Sequence, residues 1–492
     1  MIEIICKEDL YTYNVYHITK AFFSAENVQQ KVEPESECIL QITFPEGEVI
    51  RLPEGELELS EDRKERKYAV DCWLYDKYKK KTGRTLSWGL LTGVRPTKIA
   101  MQKVEEGMDK ESFIQWFQKD SLVSEKKAAL AYEIAKREKK VLSPLDYKEG
   151  YSLYVGIPFC PSVCTYCSFS SGSIDQWKDY VDAYLEALCK EIRYIGQVSK
   201  NKKLNTIYIG GGTPTTLNPE QLDRLLTCID TAFSRKDLLE FTVEAGRPDS
   251  ITKEKLEVLR KHEITRISIN PQTMQQKTLD LIGRRHTVEE VKSVFKMARE
   301  LGFDNINMDL IAGLPGETKE DMEDTLNQVK ELRPDSLTVH SLAIKRAAKM
   351  GQEKSTTGYV KDLAELQENP DKMAEELSAM IDMASEAAKE MELVPYYLYR
   401  QKNIAGNFEN VGYAKVDKAG IYNILIMEEK QSIVAAGAGA STKVVLDEPI
   451  VVPGSKNNKE TKLLRTENVK DIKEYISRID EMIERKGEWL WH

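Results

Sequence analysis

The spacing of apolar residues divides this chain into three regimes. The first begins with short alternating or clustered apolar runs, "IEIIC", "CILQITF" and "EVIRLP", which predict half-buried strands. From Ser60 the apolar residues recur at three and four positions through "EDRKERKYAVDCWLYDKYKKKTG", and this predicts a helix. A further helical block spans about Lys110 to Val141 and stops at Ser143-Pro144. In "WGLLTGVRPTKIA", Gly93, Arg95 and Pro96 read as a turn before a helix.

From Tyr151 the pattern changes. Near-continuous apolar runs ("SLYVGI", "NTIYIGGG", "EFTVEAG", "TRISIN", "NINMDLIAGLP", "DSLTVHSLAI") alternate with amphipathic helical segments such as "YVDAYLEALCKEIRYIG" and "EQLDRLLTCIDTAF". Strands apolar on both faces and separated by helices predict a parallel sheet with helical crossovers. Six such units suit a partial (β/α)6 barrel; a doubly wound sheet has the same periodicity. Both place chemistry at the carboxyl ends of the strands. The third regime opens with a helix, "DKMAEELSAMIDMASEAAKEM". It continues through a stretch expected to be strand-rich, "GIYNILIMEEKQSIVAAGAGAS", and closes with the amphipathic helix "DIKEYISRIDEMIERKGEWL". The expected organisation is therefore an α/β chain: an N-terminal α+β extension (1–145), a partial barrel (146–346) and a C-terminal mixed α/β region (347–492).

Composition narrows the class. The 492 residues carry a net charge of −9, without the basic balance of a nucleic-acid binder. No apolar run is long enough for a membrane span, and the N-terminus lacks a signal-peptide pattern, so a cytoplasmic location is expected. In that reducing compartment the eight cysteines are not expected to form disulfides. Cys6, Cys38, Cys72, Cys189 and Cys228 are scattered and read as small buried hydrophobes.

Cys160, Cys164 and Cys167 differ. They form C-x3-C-x2-C directly after the first barrel strand. Structural zinc closes its tetrahedron with four ligands, and here three are close together. Thiolates on a tight loop suit an iron–sulfur cluster, and three of them on a four-iron cluster leave one iron open. After the second strand, "YIGGGTP" fits neither the dinucleotide fingerprint nor the P-loop. Its glycines let backbone approach a ligand closely, and its carbonyls suit an ammonium group.

These stretches, with "TVEAGRPDSI", "RISINPQTM", "INMDLIAGLPGET" and "PDSLTVHSLAI", resemble the radical S-adenosylmethionine (SAM) superfamily. Within it they are similar to the oxygen-independent coproporphyrinogen III dehydrogenase family and its relatives. The likeness covers about residues 150–345, and the N-terminal part resembles the extension of a longer Gram-positive subgroup. The resemblance implies a [4Fe–4S] cluster on Cys160, Cys164 and Cys167, with SAM on its open iron. It implies a methionine amino group held by the backbone of Gly210, Gly211, Gly212 and Thr213. Glu244, Gln272, Arg284 and Asp309 would line the rest of the SAM site, each at or just beyond a strand end. Tyr166 and Phe169 flank the cysteines and would shield the cluster. His340 is expected to be a satisfied core histidine.

The implied reaction is radical oxidative decarboxylation of coproporphyrinogen III propionates to vinyls, giving protoporphyrinogen IX. It would be fed by an electron donor such as a flavodoxin or ferredoxin. Arg346 and Arg400 are candidate ligands for substrate carboxylates. The loop ending "YCSF" resembles instead the haem-chaperone branch, although no His-Asn-x-x-Tyr-Trp stretch is present. A haem chaperone is thus one alternative, and a radical methyltransferase that opens haem is another.

Overall fold

The computed structural model describes residues 1–23, 26–93, 95–168, 171–342, 370–400, 408–451 and 460–491. Arg346 and Phe169 lie outside them. The N-terminal sheet has four strands in the order β2-β1-β3-β4: β1 (Ile2–Cys6), β2 (Val28–Val32), β3 (Cys38–Thr43) and β4 (Val49–Pro53). Helices α1 (Asp9–Phe22) and α2 (Arg63–Thr82) cover it. Together they close a core of their own, from Ile2 through Tyr11, Phe22 and Leu40 to Tyr78 and Leu86. Alternation explains the strands: in β1, Ile2, Ile4 and Cys6 are buried and Glu3 is exposed.

The second body is built on an eleven-stranded sheet. Its centre is parallel: β5 (Gly150–Ile157), β6 (Lys203–Gly211), β7 (Glu240–Glu244), β8 (Arg266–Ser268), β9 (Ile306–Ala312) and β10 (Ser336–Ser341) lie side by side in chain order. These are the six strands the apolar runs predict. Amphipathic helices cross between them, among them α6 (Val181–Val198) and α7 (Pro219–Ala232), where Cys189 and Cys228 pack against each other. Both thiols belong to the helical layer, as their apolar setting suggested.

The C-terminal region extends this sheet on both sides. Beside β10 run β12 (Glu409–Ala414) and then β11 (Val394–Arg400), both antiparallel pairings. Beside β5 lies β13 (Ser432–Ala436), a seventh parallel strand, followed by antiparallel β14 (Ser441–Val451) and β15 (Glu460–Glu467). The sheet is open, with β11 and β15 at its edges. The stretch expected to be strand-rich is corrected in part, because "IYNILIME" is a helix, Ile421–Glu428. A short run that is apolar almost throughout carries no periodicity to separate helix from strand.

Within residues 97–142, Leu122 packs against the N-terminal core but the helices do not share it. These helices, α3 (Thr97–Glu105), α4 (Lys110–Ser121) and α5 (Glu125–Leu142), join the barrel's core through Phe113, Phe117, Ala128 and Ala135. Polar contacts fix the attachment. Glu409, fully buried on β12, accepts from Trp88 Nε1 at 2.8 Å and pairs with buried Lys127. Arg400 donates to the carbonyls of Leu91 (2.7 Å) and Gly93 (3.3 Å) and lies over the Trp88 ring. Arg400 is therefore not positioned to meet a substrate carboxylate. It is 4% exposed and fastens the edge strand to the N-terminal region. Arg137 does the same from its helix, donating to Lys415 O at 2.7 Å.

Replacing Lys127 by Met leaves the Glu409 carboxylate buried without its cation. The expected cost is about 3–5 kcal/mol, read as a lower urea midpoint with the secondary structure unchanged below it.

Candidate functional site

Successive parallel strands end at one side of the sheet, so the loops that follow them converge there. The register of β5 and β6 sets the first contact. Gly156 pairs with Gly210 and Ile157 with Gly211. Beyond the strand ends the chains stay linked, Gly212 N donating to Ile157 O and Thr213 N to Phe159 O, each at 2.7 Å. The glycine loop is thereby laid against the cysteine loop, and Thr213 Oγ1 reaches Cys160 Sγ at 3.7 Å. Both amides being spent and Thr213 O accepting from Thr216 N at 2.9 Å, the loop can offer a ligand the carbonyls of Gly211 and Gly212.

The glycines have steric causes. A Cβ on Gly212 would sit 2.5 Å from Phe159 O, and one on Gly210 would meet the Glu244 carboxylate at 2.9 Å. Gly211 has φ of +108°, a conformation open to glycine.

These loops open on a cavity of about 370 Å³. Its wall includes Cys160, Cys164, Cys167, Gly211, Gly212, Thr213, Glu244, Gln272, Arg284 and Asp309. All the residues expected to hold the cluster and SAM face it except Gly210, which stands behind, against Glu244. Two of these residues depart from their expected place at a strand end. Arg284 follows the short helix Gln276–Leu281, and Asp309 is the other. It lies in the middle of β9, not at its end, and reaches the cavity because inward-facing positions along a barrel strand form the floor.

The polar groups of the floor are divided in charge. Glu244 ends β7, and its carboxyl is pushed up to about 7 by burial first and by the charge of Asp309 after that, against the pull of a Tyr208 hydrogen bond. Asp309 is also pushed up by burial. The nearby His340 ring and a hydrogen bond from Asn307 outweigh this and hold it below the usual carboxylate range. Asn307 Nδ2 donates to Asp309 Oδ1 at 2.7 Å, and His340 Nε2 lies 3.9 Å from Oδ2. Tyr399 contacts the other ring nitrogen of His340 at 3.1 Å. His340 is satisfied as expected, but it is part of the cavity wall and not of an apolar core. The pair thus consists of one ionised acid beside one that titrates near neutrality.

Gln272 is held at φ +70°, a left-handed backbone that a non-glycine residue adopts at a cost. Its N donates to Asp309 O (3.0 Å), and its O accepts from Ile311 N (2.9 Å). The buried Oε1 has no partner, an arrangement that favours a ligand donor there. Arg284 Nη1 donates to Asn270 O at 2.6 Å and Nη2 to Tyr166 OH at 3.2 Å, which leaves its buried Nε without a partner. Tyr166 is pinned by this contact on the cysteine-loop side of the cavity.

The sequence reading assigned no role to Arg247, Asn270 or Asn307. Arg247 sits just past the end of β7, fully buried, and donates to Cys164 Sγ at 3.4 Å. The signal available was a charged residue directly after a strand end. Asn270 and Asn307 are polar residues inside otherwise apolar runs. His286, buried behind this group, is pushed down to about 3 by burial and then by Arg284, so it is neutral.

A second cavity, of about 410 Å³, lies at the opposite end of the strands between Leu239, Thr265, Asn305 and Lys418. None of the expected site residues lines it. Among the described residues, no three His, Cys, Asp or Glu side chains are grouped as ligands of a single ion, and no helix is long and apolar enough to cross a membrane.

Comparison with known proteins places this architecture. Residues 154–329 match the Radical SAM superfamily. The chain is 42% identical over 416 residues to the oxygen-independent coproporphyrinogen-III oxidase-like protein HemZ of Bacillus subtilis, which covers 83% of this chain and 78% of that protein. It is 41% identical over 196 residues to the heme chaperone HemW of the same organism, covering 39% of this chain and 50% of that one. The oxygen-independent coproporphyrinogen III oxidase of Escherichia coli is 34% identical over 192 residues, 39% of this chain and 42% of that protein. A solved structure of the Escherichia coli coproporphyrinogen III oxidase HemN superposes with a TM-score of 0.51 at 22% identity, covering 68% of this chain and 70% of that one, a likeness of fold. The chain belongs to the radical SAM superfamily, in the family of oxygen-independent coproporphyrinogen-III oxidase-like proteins.

Glu244 carries a prediction. Its folded carboxyl titrates near 7 and its unfolded one near 4.5, so between those values the unfolded chain sheds a proton that the folded one retains. Stability falls as pH rises through that window. Glu244→Gln cannot ionise and is expected to escape the fall. Its urea-unfolding free energy should gain on the parent by ~1–3 kcal/mol between pH 4.5 and 7, measured on cofactor-free protein.

Proposed function

We propose that this chain is an oxygen-independent coproporphyrinogen III dehydrogenase, converting propionates of coproporphyrinogen III to the vinyls of protoporphyrinogen IX. The observation that carries the reading is the convergence of three cysteines, a carbonyl-presenting glycine loop and four polar side chains on one cavity. The 42% identity to a coproporphyrinogen-III oxidase-like protein across most of both chains supports the substrate class.

The residues fit the two cofactors that the superfamily implies. Cys160, Cys164 and Cys167 would hold a [4Fe–4S] cluster. Three thiolates around a cluster need not converge on one point, because each meets a different iron. Thr213 and Arg247 already direct donors at two of the sulfurs. SAM would take the cavity: its ammonium at the Gly211 and Gly212 carbonyls, its carboxylate at Arg284, and its ribose and base at Glu244, Asp309 and Gln272. The orphaned Gln272 Oε1 and Arg284 Nε are an acceptor and a donor awaiting such a ligand. When bound and reduced by one electron, the pair supplies a 5′-deoxyadenosyl radical, which removes hydrogen from an unactivated carbon.

The protein's own part is positioning and exclusion of water. Ionised Asp309 accepts hydroxyl donors while Glu244, near its midpoint at neutral pH, donates or accepts as needed. Tyr154, Tyr208 and Tyr422 stack beneath the floor, the last two with ring centroids 4.4 Å apart. They keep the floor dry. An anionic tetrapyrrole calls for a cation at the wall, and Arg266, whose buried Nε has no partner, is a candidate there. An external one-electron donor, a flavodoxin or ferredoxin, completes the scheme.

A haem chaperone is the second reading, favoured by the 41% identity to HemW over the barrel. Anaerobic reconstitution with iron and sulfide, then incubation with dithionite, SAM and coproporphyrinogen III, separates the two. Protoporphyrinogen IX, carbon dioxide and 5′-deoxyadenosine formed together support the dehydrogenase. Tight haem binding without turnover supports the chaperone, and methyl transfer to haem would support neither. Serine at position 160, 164 or 167 (Cys160→Ser, Cys164→Ser, Cys167→Ser) is expected to abolish the brown chromophore and all nucleoside cleavage. Gln272→Ala, which removes the orphaned acceptor of the cavity wall, should keep the chromophore but weaken SAM binding at least tenfold, measured by equilibrium dialysis.

A further inference from the structure

Arg247 is unusual among the cavity's cations because none of its donors is left over. A guanidinium has five N–H donors in a rigid fork. Nε and one Nη2 hydrogen go to Asp249, at 2.9 Å to Oδ1 and 2.7 Å to Oδ2. The other Nη2 hydrogen goes to Ser162 Oγ at 3.1 Å. Nη1 donates to Ser162 O at 3.1 Å and to Cys164 Sγ at 3.4 Å. The side chain is 3% exposed. Saturated and enclosed, it has no donor to offer a substrate carboxylate. Its contacts beyond its own loop all go to the cysteine loop, two of them to the residue midway between Cys160 and Cys164.

We propose that Arg247 is a positioning residue for the cluster: held by Asp249, it fixes the Cys160–Cys164 loop and, by donating to Cys164 sulfur, raises the cluster's reduction potential. The inference rests on reading the three cysteines as cluster ligands. An added electron makes the cluster more negative, and an N–H donor or buried positive charge at a ligand sulfur stabilises that state. Asp249 has two effects. It holds the fork still, and its charge offsets part of the guanidinium's.

This division gives the two residues opposite signs. In SAM-free protein reconstituted anaerobically and checked for iron and sulfide, Arg247→Gln should shift the one-electron reduction equilibrium at least tenfold against the reduced cluster. That is about 59 mV downward, read by redox titration followed by electron paramagnetic resonance. Asp249→Asn keeps the donor and removes its counter-charge, so the potential should rise. A role confined to loop structure would lower cluster content in both variants without opposed shifts. Unchanged potentials, or shifts of the same sign, overturn the inference and leave the cluster reading standing. If Arg247→Gln holds no cluster, Asp249→Asn decides alone, and an unchanged or lowered potential overturns it. A parent protein that assembles no cluster overturns the cysteine reading and the inference with it.

Discussion

The ladder between β5 and β6 is the constraint on which the site depends. Two parallel strands in register would ordinarily part at their ends into separate loops. Here the pairing runs on, through Gly212 to Ile157 and Thr213 to Phe159. The cysteine loop and the glycine loop therefore behave as one rigid rim. Only residues without a Cβ permit it, because side chains at 210 and 212 would strike Glu244 and the Phe159 carbonyl. Neighbouring strands add the floor, with Glu244 at the end of one and Asp309 in the body of another. The chemistry offered by the cavity follows from this placement of charge: one acid kept ionised by His340 and Asn307, the other held close to neutrality by burial.

Much of this was legible in the sequence, for reasons that can be named. The six parallel strands are buried on both faces, so each reads as an unbroken apolar run. C-x3-C-x2-C and GGGTP stand at strand ends, where topology gathers loops. What was not legible depends on long-range packing. Arg400 looks like a free cation beside an aromatic strand, and only the docking of Leu91 and Gly93 shows where its donors go. Asp309 was expected at a strand end, because periodicity says which face a residue takes but not how deep a cavity runs. Arg247 went unassigned because its partner Asp249, two residues away, makes it look like a local surface pair. The stretch at 421–428 was read as strand because eight residues, mostly apolar, contain no period to measure.

The C-terminal region does more than flank the barrel. Strand β13 protects the open edge beside β5, and the loop after it is tied down by a buried acid of α6. Glu191 accepts from Gly437 N (2.9 Å), Asn468 Nδ2 (2.9 Å) and Tyr475 OH (2.6 Å). Lys486 lies 3.4 Å away and supplies the counter-charge. A buried carboxylate so fully partnered is a fixed point, and its partner Gly437 packs against Gly156, near the end of the first strand before the cysteines. Rigidity at the rim is thus supplied from both neighbours of β5.

The meeting of Trp88 and Glu409, 321 residues apart, bears on how the molecule is made. A ribosome releases the helices of residues 97–142 long before the strand they seat against exists, so they wait with an apolar face uncovered. Contacts of such sequence separation are slow to close and leave nascent chains prone to association. Birth of this protein in the cell is therefore the stage at which a chaperone's protection, or cool growth, would most raise the yield of intact molecules.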